Sequence, residues 1–433
     1  MRCDYSCESR EHVQHRRSFL SGMLAGTAGV TASVSPGLGG LLHSNPAMAE
    51  LLKAGRKRIL NVFLHGGVSQ LESWDPKPNT DTGGPFRAIP TSVPGIHISE
   101  LLPHTAKQMH RLSLIRSLNT KNSDHGRGQI EMTTGRKRIP GTEYPHLGSV
   151  VAKSLTPENF PLPGHILIRG AGTSSNPAAY LGPKFSSVVM NDGKPPEFTD
   201  RPASLSVEAD QRRNAFREKL NNRFANRRRT ADTDSYAYSY EQALDLLAAR
   251  DVFDVTHEPK SDQERYGVSE FGQHCLLARR LLEKGVPFVQ VNHSNYDTHY
   301  ENFDFHIEQL GEFDLPFATL VSDLAERGML EDTLICVMSE FGRTPKINSR
   351  YGRDHWGTAW SVLLGGAGIQ PGAVVGKTND NGTEVIERAV DHGHLFHTIL
   401  QAVGVDSTGE FDVGGRNFPI ADPAKSSIKE LLA

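Results

Sequence analysis

The sequence predicts an α/β protein with a doubly wound, largely parallel sheet flanked by helices. Two observations carry this. Short runs rich in Val, Ile, Leu and Phe alternate along the chain with longer segments of helical period, the pattern of strands joined by crossover helices. The short runs are mostly apolar, as buried strands covered on both faces are.

The strand candidates are 59–64, 112–116, 166–168, 287–291, 333–338 and 361–364. The helix candidates are 205–224, 240–250, 270–283, 303–327 and 392–403. In 270–283 the apolar residues Phe271, Cys275, Ala278, Leu281 and Leu282 fall on one face, and Gly285 supplies the stop. The stretch 176–201 is rich in Pro, Gly, Ser and Asn and reads as a long surface loop. The charge run 221–234 reads as a solvated helix end.

Composition bounds the class. With 37% hydrophobic and 22% charged residues the chain is globular, neither disordered nor membrane-embedded. A net charge of -3 over 433 residues gives no reason to expect a nucleic-acid partner. No run reaches the roughly 18 to 20 apolar residues of a stable membrane span. Cys275 and Cys336 lie in apolar segments and read as core thiols, and without a CxxC pair a thiolate zinc site is not expected.

The first residues read as an export leader. Arg16-Arg17-Ser18-Phe19-Leu20 is followed by a mildly apolar run at 23–34 and by Ala47-Met48-Ala49. This order resembles a twin-arginine signal with cleavage near Ala49. The expected organisation is a signal peptide over 1–49 and a single domain over 50–433 with a helical insert near 200–260. The expected location is periplasmic or extracellular, with the twin-arginine export machinery as a partner.

In an open α/β sheet, ligands bind beyond the carboxyl ends of the strands. Four polar clusters follow strand candidates: His65 to Asp75, Asn119 to Gly126, Asn292 to His299 and Ser339 to Thr344. A fifth, Arg353-Asp354-His355-Trp356, precedes the strand at 361. Together they bring His and carboxylate groups to one sheet edge. Such mixed oxygen and nitrogen donors suit zinc, manganese, calcium or magnesium, and the chemistry that uses them is metal-assisted hydrolysis. Asp297 and His299, two apart, face one way in an extended segment. Glu340 directly after a buried strand has no packing explanation. Asp124 reads either as a functional acid or as a helix N-cap. Glu72 and Asp75 are open between site and scaffold.

These residues also carry a family likeness. The run Phe63-Leu64-His65-Gly66-Gly67-Val68-Ser69-Gln70-Leu71-Glu72-Ser73-Trp74-Asp75-Pro76 resembles the opening signature of a bacterial family known as "domain of unknown function 1501". Ser123-Asp124-His125, Asp297-Thr298-His299, Glu340-Phe341-Gly342-Arg343-Thr344-Pro345 and Gly352-Arg353-Asp354-His355-Trp356 follow in that family's order. The family is grouped with the alkaline-phosphatase and sulfatase superfamily. The resemblance implies a three-layer sandwich with divalent metals at the strand ends, and hydrolysis or transfer of phosphate or sulfate esters. The sequence departs from the superfamily at three places. His65 stands where an Asp ligand is usual, and Glu340-Phe341 replaces Asp-His. Counting back from Thr134-Gly135, the nucleophile position falls on His125, and no Cys-x-Pro-x-Arg motif is present.

The function so implied is an exported, metal-dependent hydrolase of an anionic small-molecule or glycan ester. His65, Asp297, His299, Glu340, Asp354 and His355 are the expected metal ligands. His125 is the expected nucleophile or acid/base group, with Asp124 beside it and Arg343 or Arg127 on the anionic group. The alternative is a non-catalytic relative that binds a glycan or a cell-envelope partner.

Overall fold

A computed structural model describes residues 57–158, 160–168, 176–190, 202, 204–225, 246 and 249–433. The leader expected over 1–49 and most of the helix expected over 240–250 lie outside them.

Eight strands form the central sheet: β1 (Arg58–Leu64), β2 (Leu112–Leu118), β3 (His165–Ile168), β4 (Val188–Met190), β5 (Phe288–His293), β6 (Thr333–Met338), β7 (Trp360–Gly366) and β8 (Val374–Val375). Their order across the sheet is β8-β2-β7-β6-β1-β5-β3-β4. β1 pairs in parallel with both β5 and β6, and β3 in parallel with β5 and β4. β7 alone runs against its neighbours β6 and β2. The largely parallel sheet expected from the sequence is therefore present, with one reversed strand. Each of the six strand candidates forms, and β6 keeps its expected bounds. The loop expected over 176–201 is corrected in part: Val188–Met190 adds an edge strand, too short for a recognisable period.

Described helices are α1 (Pro103–Gln108), α2 (His125–Thr134), α3 (Leu147–Leu155), α4 (Val207–Ala225), α5 (Lys260–Tyr266), α6 (Glu270–Glu283), α7 (Asn302–Glu326) and α8 (His392–Ala402). α6 keeps the bounds read from its apolar face, and Gly285 follows it with φ +88°. No helix among the described residues is long and apolar enough to cross a membrane.

The pleat divides the core into two. Leu60, Val62 and Leu64 of β1 pack in one cluster with Phe271 and Leu281 of α6 and Phe313 and Leu320 of α7. Ile59 and Phe63 pack on the other face with Met132 of α2, Val150 of α3 and Ile399 of α8. A strand buried on both faces has no need of polar alternation, which is why these runs read as continuous. Cys275 and Cys336 are free and buried, one in each cluster.

Candidate metal centre

The polar clusters meet at one edge of the sheet for a topological reason. The carboxyl ends of β1, β5 and β6 lie together because these strands are parallel neighbours. β7 runs the other way, so the residues that precede it arrive at the same edge as those that follow the others. His355 and Trp356 form a short antiparallel ladder with Arg343 and Gly342, which ties the last two clusters to each other.

Glycines allow the close approach. Gly66 has φ +112°, and a Cβ there would lie 2.5 Å from the backbone nitrogen of Asp297. Gly67, at φ +83°, would place a Cβ 2.5 Å from the Phe341 ring. Any side chain at either position would push β1's terminal loop off the β5 and β6 loops.

Asp297 is the centre of the group. Its Oδ1 lies 3.1 Å from His299 Nε2 and 3.0 Å from His355 Nε2, and its Oδ2 lies 3.3 Å from His125 Nε2. The two ring nitrogens of His299 and His355 are themselves 3.0 Å apart. His125, Asp297 and His355 have ligand atoms close enough to share one ion.

The far nitrogen of each ring decides what the near one can do. His355 Nδ1 lies 2.9 Å from the Ser123 carbonyl oxygen, which only accepts, so Nδ1 carries the proton. His299 Nδ1 lies 2.7 Å from Asp354 Oδ1, a carboxyl held below its ordinary range by this hydrogen bond. His125 Nδ1 lies 2.8 Å from Glu340 Oε1. Burial pushes the Glu340 carboxyl up, but the opposing contributions, led by the His125 hydrogen bond, outweigh it and the net shift is downward. In its neutral form, a ring held in this way turns a bare Nε2 lone pair towards the carboxylate. Lone pairs so placed repel one another unless protons or a cation stand among them. An imidazole fixed through Nδ1 by a carboxylate or carbonyl is the usual support of a metal-binding Nε2.

Electrostatics agree. Burial raises the Asp297 carboxyl, but the Arg343 hydrogen bond and charge, then His355 and His125, bring it down to about 2. Asp297 is thus an anion at any ordinary pH. His125 is raised, first by its hydrogen bond to Glu340. His355 is lowered, first by burial.

Some expected site residues take other places. Arg343 is fully buried: Nε donates to the Gly67 carbonyl at 2.8 Å, Nη1 to the Arg353 carbonyl at 3.1 Å, and Nη2 to Gly66 O and to Asp297 Oδ1. It holds Asp297 and has no face for an anionic substrate. Glu340 and Asp354 stand behind His125 and His299 as orienting carboxylates. Asp124 caps α2, accepting the Arg127 N–H at 2.9 Å. His65 lies beside Glu340 but turns Nε2 to Asn292 Oδ1 at 3.2 Å. Glu72 forms a buried pair with Arg353. Sequence reasoning missed the Ser123 carbonyl and the Phe341 ring, which packs on His125 and His355 with centroids 4.8 and 4.5 Å away. Backbone carbonyls carry no sequence signal. Phe341 had one, its place inside the Glu-Phe-Gly-Arg block.

A family model described as "Protein of unknown function (DUF1501)" matches residues 56–432. The chain belongs to this family. No curated protein matches this member of DUF1501. Among solved structures it is similar to the lipoteichoic acid synthase LtaP from Listeria monocytogenes, with 7% identity and TM-score 0.42 over 86% of this chain and 76% of that one. It is also similar to a protein in the alkaline phosphatase superfamily from Vibrio parahaemolyticus, with 12% identity and TM-score 0.37 over 81% and 67%. A third likeness is to alkaline phosphatase from the Antarctic bacterium TAB5, with 14% identity and TM-score 0.34 over 80% and 97%. Likenesses of this size speak to neither substrate nor activity, so the chemistry rests on the residues themselves.

Proposed function

We propose that this DUF1501 protein is an exported hydrolase of phosphate or sulfate esters that works with a divalent cation, zinc, calcium, magnesium or manganese. The observation that carries the reading is the convergence of Asp297, His299, His355 and His125, with every imidazole fixed through Nδ1. The donor set fits a divalent cation: one carboxylate that stays ionised and bare imidazole nitrogens beside it. Asp297, His299 and His355 would hold the ion, and the bound ion would polarise the ester and offset its negative charge.

The chain's own groups have separable tasks. Arg343 keeps Asp297 ionised and immobile. Asp354 and the Ser123 carbonyl hold the two ligand rings in register. His125 stands at the first turn of α2, where helix N–H groups favour an anion. Its Nδ1 is held by Glu340, and its Nε2 is the group placed to move a proton at the ester oxygen. Glu340 therefore acts through His125 and not as a ligand. The leader, cut near Ala49, would deliver the domain outside the cytoplasm.

The test is a panel of aryl phosphates, phosphodiesters and aryl sulfates given to the exported protein loaded with each of the four cations. Turnover of at least one ester is expected, lost in Asp297→Ala and in His299→Ala. Turnover that survives both substitutions would place the chemistry elsewhere.

A further inference from the structure

Three amide side chains stand together on neighbouring strands of the sheet. Asn61 in β1 pairs across the ladder with Gln290 in β5, and Asn292 follows Gln290 by two. All three therefore project from one face of the sheet. Asn61 is 2% exposed, Gln290 7% and Asn292 1%. Amides buried in this way destabilise a core unless their donors and acceptors are matched.

They are matched in a line that runs to the metal centre. Asn61 Nδ2 donates to Gln290 Oε1 at 2.9 Å, and Gln290 Nε2 donates to Asn292 Oδ1 at 2.8 Å. The same Asn292 oxygen lies 3.2 Å from His65 Nε2. An amide oxygen only accepts, so His65 Nε2 must carry the proton, and the neutral ring is left with a bare Nδ1. Burial is the first cause that keeps this ring neutral, lowering its pKa.

The other end of the line is open. Asn61 Oδ1 is buried and has no hydrogen-bond partner. Asn61 borders a pocket of mixed lining: Gln129 and Thr133 of α2, His146, His165 and Gln290 are its polar members, beside apolar groups such as Met132 and Phe288. Gln129 is one turn along α2 from His125, so the pocket lies behind the helix that carries the site. Amides and imidazoles around an unmatched acceptor make a place for water rather than for a hydrocarbon group.

We propose that Asn61, Gln290 and Asn292 are positioning residues: a directional amide line that holds His65 as its Nε2–H tautomer and leaves Nδ1 as the free acceptor, closed at Asn61 Oδ1 by a water molecule in the pocket behind α2. The line gives a role to polar residues that a structural sheet would not keep. It also makes the direction of each amide matter. With all three amides turned over, Asn292 would donate to His65 Nε2 and the proton would move to Nδ1.

The experiment is a long-range proton–nitrogen correlation on the full chain labelled at histidine, free of metal and substrate, at mildly alkaline pH. His65 is assigned by its loss in His65→Gln. The expected result is a single tautomer, with the protonated-type signal at Nε2 and the bare-type signal at Nδ1. In Gln290→Leu the line is cut, and the single-tautomer signal should be lost to a mixture. A wild-type ring protonated at Nδ1 would overturn the proposal, as would a tautomer that ignores Gln290→Leu. Should Gln290→Leu fail to fold, the wild-type tautomer alone decides. Because no metal or ester is present, an inactive enzyme leaves this result standing, and the wrong tautomer leaves the hydrolase reading standing.

Discussion

Arg353 and its neighbours Asp354 and His355 lie side by side in the sequence and do opposite things. Arg353 is fully buried against a fully buried Glu72. Its Nε lies 3.0 Å from Glu72 Oε2 and its Nη2 2.7 Å from Oε1, and it donates further to the carbonyls of Thr82, Thr344 and Pro345. Glu72 also accepts from Asn302 at 3.0 Å. Every charge there is answered. Two residues on, His355 meets His299 and Asp297 across about 3 Å, with its Nδ1 already turned to the Ser123 carbonyl. The Asp297 side chain is 46% exposed. A saturated cluster is scaffold. The second, built on equally firm supports, is the one that the proposed cation would complete.

That contrast is broken or sharpened by substitution. The largest effect is expected from Asp297→Ala, which should take ester turnover to background and abolish cation binding, read by activity and by elemental analysis. Because Asp297 is half exposed and the Arg343 guanidinium keeps its carbonyl partners at Gly66, Gly67 and Arg353, the variant should still fold, with a smaller loss of stability than Glu72→Ala. Glu72→Ala should do the reverse. It strands a buried guanidinium and should cost about 3–5 kcal/mol in chemical denaturation, with any loss of activity following loss of fold. A Glu72→Ala protein as stable as the wild type would break the comparison.

Next in size is Asp354→Asn, which keeps the shape but weakens the anchor on His299 Nδ1. Cation affinity should fall roughly 10- to 100-fold by titration calorimetry, with the fold intact. An unchanged affinity would make Asp354 a bystander.

The last effect is a pH dependence in the scaffold, slight near neutral pH and growing as the medium is acidified. Burial lowers His306 to about 4 and His165 to about 3. His306 must stay neutral, because its Nε2 accepts the Ser69 N–H at 3.1 Å. The unfolded chain takes up these protons near its ordinary value of about 6.5, before the folded one does. The stabilisation is therefore complete above about pH 6.5 and is lost as pH falls towards about 4, by up to about 1.4 kcal/mol per pH unit for each group. The denaturation midpoint followed with pH checks the slope. A midpoint flat across that window would mean that both rings protonate without penalty.

The fold was legible where burial on both faces wrote itself as a nearly continuous apolar run, as in 59–64 and 333–338. The strand Val188–Met190 was not, since three residues give no period and its surroundings are turn-forming. The site was legible to the level of loops. Which strand ends carry His and carboxylate groups can be read from order alone. Whether Glu340 faces an ion or the back of His125 cannot, because only the fold sets the direction of a side chain. Arg343 shows the same limit. Its guanidinium reads as a free anion binder until the carbonyls of Gly66 and Gly67 are seen to hold it. Asn61 and Gln290 left a signal that went unused: polar residues inside apolar strand runs are anomalies that ask for a partner.

The central claim is that Asp297, His299 and His355 hold a divalent cation. The direct measurement is the metal content of the exported protein after dialysis against each of zinc, calcium, magnesium and manganese, beside Asp297→Ala treated alike. A stoichiometric ion in the wild type, missing from the folded variant, is the predicted result. A folded wild-type protein that retains none of the four would contradict it.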